Sequence, residues 1–241
     1  MTYLIIGATG AVGSSLLIRI RNLGHNVHAI ARNPDKLQQL VATYGVTYSV
    51  ADILDTQELS EAIRCAGDNL AGLAYCVGNI RLGSFSKLKQ DDFLADYRLN
   101  ALGAVSALQA ALPALRNNQG NAASVVLFSS VAATQGFFGH ASTAMVKGAI
   151  EALTLSLAAE LSPHIRVNCI APSLLQTPLS QSILTSETMR NAITQLHPLQ
   201  RLGTADDVAA LACFLLSNDS SWITGQIIGV DGGRSTLRTK G

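Results

Sequence analysis

The chain has 241 residues, of which 48% are hydrophobic and 14% are charged, and its formal net charge at pH 7 is +1. So small a charge excludes strong electrostatic attraction to nucleic acid or to an anionic membrane surface, and we expect the partners to be small molecules or further copies of the chain. The length suits a single α/β domain, residues 1–241, and the low charge favours a homo-oligomer that hides part of its surface.

Cysteine and histidine usage narrows the class further. The four cysteines, Cys65, Cys76, Cys169 and Cys213, show no CxxC spacing, and most lie in apolar runs where a cysteine is usually a small buried hydrophobe. Strand-like sequence begins at Tyr3, so we expect no signal peptide and a cytoplasmic protein. No apolar run approaches the roughly 18 residues of a membrane span, and the histidines lack metal-ligand spacing, so we predict no metal site.

Short β-rich runs alternate with helix-length segments along the chain. Strands are predicted at YLII, VHAIA, TYSVA, LAYCV, SVVLFS, IRVNCIA and QIIGV. Helices are predicted over residues 12–22, 34–44, 56–65, 90–115, 142–161 and 205–217. This alternation implies right-handed β-α-β units, so we expect a three-layer, doubly wound Rossmann fold with a seven-stranded parallel sheet. Its ligands should bind beyond the carboxyl ends of the strands.

A glycine-rich turn follows the first strand and leads directly into a helix. Glycine permits a tight turn and a close approach of backbone to a pyrophosphate, and a helix N-terminus offers unpaired N–H groups. Because a strand precedes the turn, a helix follows it and a second strand comes on schedule, we predict a dinucleotide site. Its residues are Gly7, Ala8, Thr9, Gly10, Ala11, Val12 and Gly13.

The ends of the second and third strands indicate which dinucleotide is bound. An acidic residue for the ribose 2′-hydroxyl is expected about 20 residues after the glycines, but the sequence at positions 29–33 is AIARN. Arg32 can hold a 2′-phosphate through its planar, charged fork, which favours NADP(H) over NAD(H); alternatively, it is a solvated residue before a helix. Asp52, which precedes Ile53, can accept a hydrogen bond from an adenine amino group or cap the helix that begins near Thr56.

The stretch 125–161 is predicted to be a buried strand, a loop and a long helix, and it carries residues suited to carbonyl chemistry. Ser130 ends the apolar run, and Lys147 lies one turn into the helix. The residue one helical turn before Lys147 shares its face. That residue is Thr143, a poor acid at neutral pH.

With these residues placed, the whole chain resembles the short-chain dehydrogenase/reductase family, and its second half is similar to the bacterial ketoacyl reductase branch. The resemblance covers residues 4–233. It rests on the glycine turn, the Asp52-Ile53 pair, Asn100 in a long helix, Ser130, KGA at 147–149, IRVNCIAP at 165–172, Thr177-Pro178, RLG at 201–203 with DVA at 207–209, and TGQ at 224–226 with VDGG at 230–233.

The resemblance implies a site at the strand ends. It places Pro172, Leu174 and Thr177 against the nicotinamide amide side and gives Lys147 the ribose hydroxyls. The loop after the fourth strand, with Cys76 and Gly78, is also expected at the cofactor. A catalytic tetrad of Asn, Ser, Tyr and Lys is implied, of which Asn100, Ser130 and Lys147 match. Tetramers formed through the helices at 90–115 and 142–161 are usual in the family.

Three departures qualify the resemblance. The family's Asn-Asn-Ala-Gly loop is YCVG at 75–78, its Pro-Gly is Pro172-Ser173, and its Tyr-x-x-x-Lys begins with Thr143. Thr143 can at most orient a water. Of the other candidate proton donors, His140 lies one turn earlier and histidine exchanges its proton near neutrality, although a helix cap is the commoner role for such a histidine. Ser142 is an equally plausible cap, and Tyr97, one turn before Asn100, suits a core or an interface better.

These residues predict an NADP(H)-dependent oxidoreductase that interconverts a carbonyl and an alcohol on a small or medium substrate, with an atypical proton donor. The alternative is a catalytically impaired NADP(H)-binding sensor or structural protein. Residues 179–198, which follow the sixth strand, are expected to form a substrate lid, and their apolar residues recur at roughly helical spacing.

Overall fold

A computed structural model describes residues 1–118 and 122–239 of the protein. Seven parallel strands form one sheet in the order β3-β2-β1-β4-β5-β6-β7, which confirms the predicted doubly wound fold. The order reverses between β1 and β4, and such a switch point is where ligands of this fold bind. The strands are β1 (Thr2–Ile6), β2 (Asn26–Ala31), β3 (Thr47–Val50), β4 (Gly72–Tyr75), β5 (Ala123–Phe128), β6 (Ile165–Pro172) and β7 (Ile227–Val230).

Helices cover both faces of the sheet. Successive side chains of a strand point to opposite faces; in β1, Leu4 and Ile6 join one apolar cluster and Ile5 joins the other. The helices are α1 (Ala11–Asn22), α2 (Pro34–Tyr44), α3 (Thr56–Arg64), α4 (Gln90–Tyr97), α5 (Gly103–Arg116), α6 (Ala141–Leu161), α7 (Glu187–Gln195) and α8 (Ala205–Leu216). The first cluster lies under α3, α5 and α6, and the second lies under α1, α2 and α8.

The helix predicted over residues 90–115 is interrupted. Between α4 and α5 the chain forms a π-turn over Arg98–Leu102, in which the Gly103 N–H donates to the Arg98 carbonyl. Such a turn inserts one extra residue and often marks a functional site. Asn100, which the sequence predicts as a site residue, lies in this irregular segment. Its side chain donates through Nδ2 to the Asp96 carbonyl at 2.9 Å.

The segment after β6 contains a helix that the predicted elements do not include. Thr177 precedes a single 3-10 turn at Pro178–Ser180, and α7 follows. The Ser186 hydroxyl caps α7 by accepting from the Met189 N–H at 3.2 Å, a standard helix start. None of the helices in the described part of the chain combines the length and hydropathy that crossing a bilayer requires.

Candidate active site

A cavity of about 280 Å³ lies beyond the carboxyl ends of β4, β5 and β6. The loops after these strands form its walls. The strand predicted at LAYCV ends earlier than expected, since β4 ends at Tyr75, and its last two residues belong to the loop. The cavity brings together most of the residues predicted for the nicotinamide end of the site. The predicted residues that line the cavity are Val12, Cys76, Gly78, Ser130, His140, Thr143, Lys147, Pro172, Leu174 and Thr177.

Ser130 is positioned by the first turn after β5. Its Oγ accepts a hydrogen bond from the Ala132 N–H at 3.2 Å, which fixes the side chain while its own proton stays available for a ligand. The neighbouring Ser129 has a different task, since its hydroxyl donates to the Lys147 carbonyl at 3.1 Å and contacts Glu151 at 2.7 Å. Ser130 is therefore the serine whose hydroxyl is free toward the cavity.

Lys147 lies on the buried face of α6, where Thr143, Ile150 and Thr154 recur at helical spacing. Its Nζ donates to the Phe128 carbonyl at 3.0 Å. Burial lowers the pKa of this ammonium to about 8, although Cys169 acts in the opposite direction. The lysine is therefore poised to lose its proton just above neutral pH.

Asn100 lies behind the cavity rather than on its wall. It borders a small space together with Thr143 and Lys147, and its Oδ1 is a buried oxygen without a hydrogen-bond partner among the described residues. A Cβ on Gly78 would lie 2.9 Å from that Oδ1 and 3.3 Å from the Lys147 Nζ. Glycine at position 78 thus lets the backbone pass close to both polar groups.

A buried ionic network supports Thr143 and Asn100, and the sequence analysis did not find it. Asp96, only 2% exposed, accepts from the Arg81 Nε at 3.0 Å, from the Asn79 Nδ2 at 2.6 Å and from the Ser142 hydroxyl at 2.6 Å. The Thr143 hydroxyl donates to the Arg81 carbonyl at 3.3 Å. This network fixes the start of α6 against α4.

The suggestion that Ser142 caps α6 is wrong, because its hydroxyl is buried and donates to Asp96. The N-cap residue is His140, which makes no side-chain capping bond. Its Nδ1 lies 2.9 Å from the Phe138 carbonyl, and because a carbonyl only accepts, Nδ1 carries a proton. The other ring nitrogen, Nε2, is left to exchange a proton with a ligand. Tyr97 is 37% exposed on α4 and does not line the cavity.

The glycine turn after β1 has the geometry expected of a phosphate loop. Gly7 has φ +84°, and its N–H, with that of Ala8, donates to the Ile30 carbonyl at the end of β2. A Cβ on Gly13 would lie 2.3 Å from the Gly7 carbonyl oxygen, so only glycine fits there. The start of α1, with Thr9 and Gly10 before it and Ala11 and Val12 inside it, has no acidic first-turn residue and no side-chain cap, which leaves its N–H groups for an anion.

Arg32 and Asp52 lie past the ends of β2 and β3. Arg32 is exposed and has no ion-pair partner among the described residues. Asp52 accepts from the Leu54 N–H at 3.0 Å, and the cap of α3 is Asp55, not Asp52. The alternative reading of Asp52 as the α3 cap is therefore wrong. Ile53 is 5% exposed, so it can offer a ligand only its backbone.

The cysteine thiols near the site are not nucleophiles. Burial raises the pKa of the Cys76 thiol to about 12, and burial first, with Glu151 second, raises that of Cys169 to about 12. A thiol with so high a pKa is protonated at neutral pH and unreactive. Within residues 1–118 and 122–239, no three His, Cys, Asp or Glu side chains are grouped as metal ligands.

The fold and the position of the cavity together define a doubly wound α/β protein of the Rossmann type. Comparison with known proteins agrees: residues 7–235 match the family model described as Enoyl-(Acyl carrier protein) reductase. A tropinone reductase homolog of Arabidopsis thaliana is 31% identical over 98% of this chain and 90% of its own length. The chain belongs to the short-chain dehydrogenase/reductase family, which confirms the resemblance.

Solved structures show the same likeness. A short-chain type dehydrogenase/reductase from Mycobacterium ulcerans superimposes with a TM-score of 0.91 at 30% identity, covering 98% of this chain and 90% of that one. ElxO, solved with NADP bound, superimposes with a TM-score of 0.89 at 24% identity, covering 98% of this chain and 99% of its own. The second likeness concerns the fold alone.

Proposed function

We propose that the protein is an NADP(H)-dependent oxidoreductase that interconverts a carbonyl and an alcohol on a small or medium substrate. The observation that carries the proposal is the convergence of Ser130, His140, Thr143 and Lys147 on one cavity beside the nicotinamide positions. Bound NADPH supplies a hydride to the carbonyl carbon. The chain must then bind the oxygen and provide a proton for it.

Arg32 favours NADP(H) over NAD(H) in this proposal. The glycine turn is tied to β2 through the Ile30 carbonyl, so Arg32, two residues further on, lies beside the loop that would hold the pyrophosphate. Its guanidinium fork can donate two parallel hydrogen bonds to a phosphate. Asp52 would receive the adenine amino group, and Lys147 the ribose hydroxyls. The buried, unpartnered Asn100 Oδ1 fits a site that a ligand or a water completes.

The remaining groups divide the work on the carbonyl oxygen. Ser130 would donate a hydrogen bond to it, which stabilises the developing negative charge. Thr143 occupies the position at which the family resemblance places a tyrosine, and its hydroxyl is no acid at neutral pH. His140 is our proposed proton donor in its doubly protonated form: the Phe138 carbonyl holds the Nδ1–H, and the Nε2–H would pass its proton to the substrate oxygen directly or through a water. The neutral imidazole that remains would take up a new proton from solvent.

Cofactor oxidation measured across a panel of aldehydes and ketones tests the proposal. We expect turnover with NADPH that Lys147→Ala and Ser130→Ala each reduce by roughly 10²-fold or more. Arg116→Ala serves as the control and should leave the rate unchanged, because the end of α5 lies at the opposite edge of the sheet, where the Ala114 carbonyl accepts from the Leu70 N–H just before β4. Equal background rates in all four proteins would refute an oxidoreductase.

A second candidate function, an NADP(H)-binding sensor or structural protein without catalysis, is favoured by Thr143 alone. It predicts binding of NADP(H) in a calorimeter with no turnover of any substrate. Thr143→Tyr separates the two functions, because a phenol beside Lys147 restores an ordinary acid. The sensor reading predicts that activity appears only in this variant, whereas the enzyme reading predicts measurable activity in the natural chain.

We also propose a cytoplasmic homo-oligomer, a dimer or tetramer. All four cysteines are free, which supports a reducing compartment. Large apolar side chains are exposed on and near α5 and α6, among them Leu102, Met145 and Leu155, and association would remove them from water. Light scattering that gives the monomer mass at micromolar concentration would refute the oligomer.

A further inference from the structure

A second cation lines the cavity, and the mechanism above does not use it. Arg234 follows β7, and its guanidinium lies over the Phe137 ring at 4.6 Å from the centroid. Phe137 belongs to the loop between Ser130 and His140, and its ring centroid lies 5.4 Å from that of His140, so Arg234 lines the same cavity as the proposed reacting groups. Lys147 and Arg234 are the charged residues of the lining that the structure describes, and that lining includes no carboxylate.

A chain of three hydrogen bonds fixes the guanidinium. The Arg234 Nη1 donates to the Ser173 Oγ at 3.3 Å, and the Ser173 hydroxyl lies 2.8 Å from the His197 Nε2. The His197 Nδ1 lies 2.8 Å from the Ile193 carbonyl, so Nδ1 carries the proton and Nε2 accepts from Ser173. Burial lowers the pKa of His197; the hydrogen bond to Ile193 and the charge of Asp231 oppose this effect, while the Arg234 charge adds to it, and the net direction is downward. The histidine is therefore neutral and adds no second charge.

The charge of Asp231 acts on Arg234 without an ion pair among the described residues: burial lowers the pKa of the guanidinium, and Asp231 partly opposes that effect. The Asp231 carboxylate already accepts from the Gly233 N–H at 2.8 Å and from the Ser235 N–H at 2.9 Å, and it also binds the Ser235 hydroxyl. Among the described residues, no carboxylate oxygen lies within ion-pair distance of the Arg234 nitrogens. A guanidinium has five N–H donors, and among the described residues this one donates a single, long hydrogen bond, the one to Ser173.

A partly buried, unpaired cation beside an apolar cavity is a binding group for an anion. Away from the polar groups named above, the lining is mostly apolar and includes Val77, Ile80, Leu82, Leu179, Ile183 and Ile193. A single guanidinium matches a single negative charge, and its planar fork fits a carboxylate by two parallel bonds. The cavity volume of about 280 Å³, shared with the nicotinamide, limits the substrate to a small or medium size.

We propose that Arg234 binds the carboxylate of the substrate, so that the enzyme reduces oxo acids, or oxidises hydroxy acids, with an apolar carbon chain. This inference rests on the proposed oxidoreductase function. It also accounts for Ser173, which departs from the Pro-Gly pair of the resembling family: its hydroxyl links Arg234 to His197. Because His197 is bonded to the end of α7, the same hydrogen bonds fix the lid segment over the anion.

The test compares straight-chain oxo acids of five to ten carbons with their methyl esters, using NADPH and the full chain. A charge-assisted pair contributes roughly 10- to 100-fold, so we expect the natural chain to favour each acid over its ester by that factor in kcat/KM. Arg234→Gln should remove the preference and leave ester turnover within a few-fold. Arg234→Lys, which keeps the charge and loses the fork, should retain part of it.

Arg238→Gln is the matched control, since Arg238 is exposed and donates to the neighbouring Leu237 carbonyl. Unchanged NADPH affinity in a calorimeter establishes that each variant is folded. If acids and esters react equally in the natural chain, the carboxylate site is refuted while the oxidoreductase stands. If nothing turns over, but an acid binds to the NADPH complex and Arg234→Gln abolishes that binding, the carboxylate site stands while the oxidoreductase falls. No turnover and no binding of any acid refutes the carboxylate site.

Discussion

Replacing Lys147 by Met should make the stability difference between the two proteins depend on pH. Burial lowers the pKa of Lys147 from 10.5 to about 8, so between these values the unfolded chain binds a proton that the native chain has lost. Stability therefore rises with pH across this window. A shift of that size corresponds to roughly 3 kcal/mol, since each pKa unit is about 1.4 kcal/mol.

The variant also loses the hydrogen bond from Nζ to the Phe128 carbonyl, which contributes about 1 kcal/mol. The part of that loss that does not change with pH cancels when two pH values are compared, and the part that changes as Nζ loses its charge is already contained in the shifted pKa. We therefore expect the free energy of unfolding of the natural chain, relative to that of Lys147→Met, to rise by up to about 3 kcal/mol between pH 7 and pH 10.5.

Urea unfolding of the cofactor-free proteins at the two pH values measures the effect. Lys36→Met, which removes an exposed lysine of α2, reports what the loss of any lysine charge does. A difference between the natural chain and Lys147→Met that stays constant within about 0.5 kcal/mol would show that the Lys147 ammonium is not destabilised by burial, and the reasoning about its poise near pH 8 would fail.

Two further predictions concern the cofactor. Arg32→Gln should lower the affinity for NADPH roughly 10- to 100-fold and leave the affinity for NADH unchanged. Calorimetry should show that the loss of NADPH affinity becomes smaller as the salt concentration rises, because Arg32 is exposed. Equal effects on both cofactors would contradict a 2′-phosphate contact. Gly13→Ala should weaken the binding of both cofactors alike, because the new Cβ would lie 2.3 Å from the Gly7 carbonyl oxygen. Gly24→Ala is the control: a Cβ there meets nothing within 4 Å but has φ +79°, so the substitution should lower stability and leave both affinities intact.

The sequence predicted the fold well because alternating strands and helices carry a strong periodic signal. The glycine turn and the group of Ser130, Thr143 and Lys147 were also found, since each lies at a strand end or on one helix face. These features depend on short-range spacing. Asp55, not Asp52, caps α3. The sequence does not decide this, because two acids of similar capping ability lie close together and their spacing from the helix does not choose between them.

Other features depend on contacts between distant parts of the chain. Asp96 reads as one more acid in a polar helix, and its ion pair with Arg81 appears only when α4 and the loop after β4 come together. Arg234 reads as a charged residue near the chain end, and only the fold brings it over Phe137. The π-turn at Asn100 has no period of its own to recognise.

Transfer of deuterium from cofactor to substrate tests the central claim most directly. NADPH labelled with deuterium on either face of the nicotinamide C4 is incubated with the protein and an oxo acid or ketone, and the alcohol is analysed by mass spectrometry. We predict an alcohol that carries deuterium from one of the two labelled cofactors, in an amount that Ser130→Ala lowers by roughly 10²-fold or more. An absence of alcohol above the protein-free background, or equal deuterium transfer with Ser130→Ala, would contradict the proposed site.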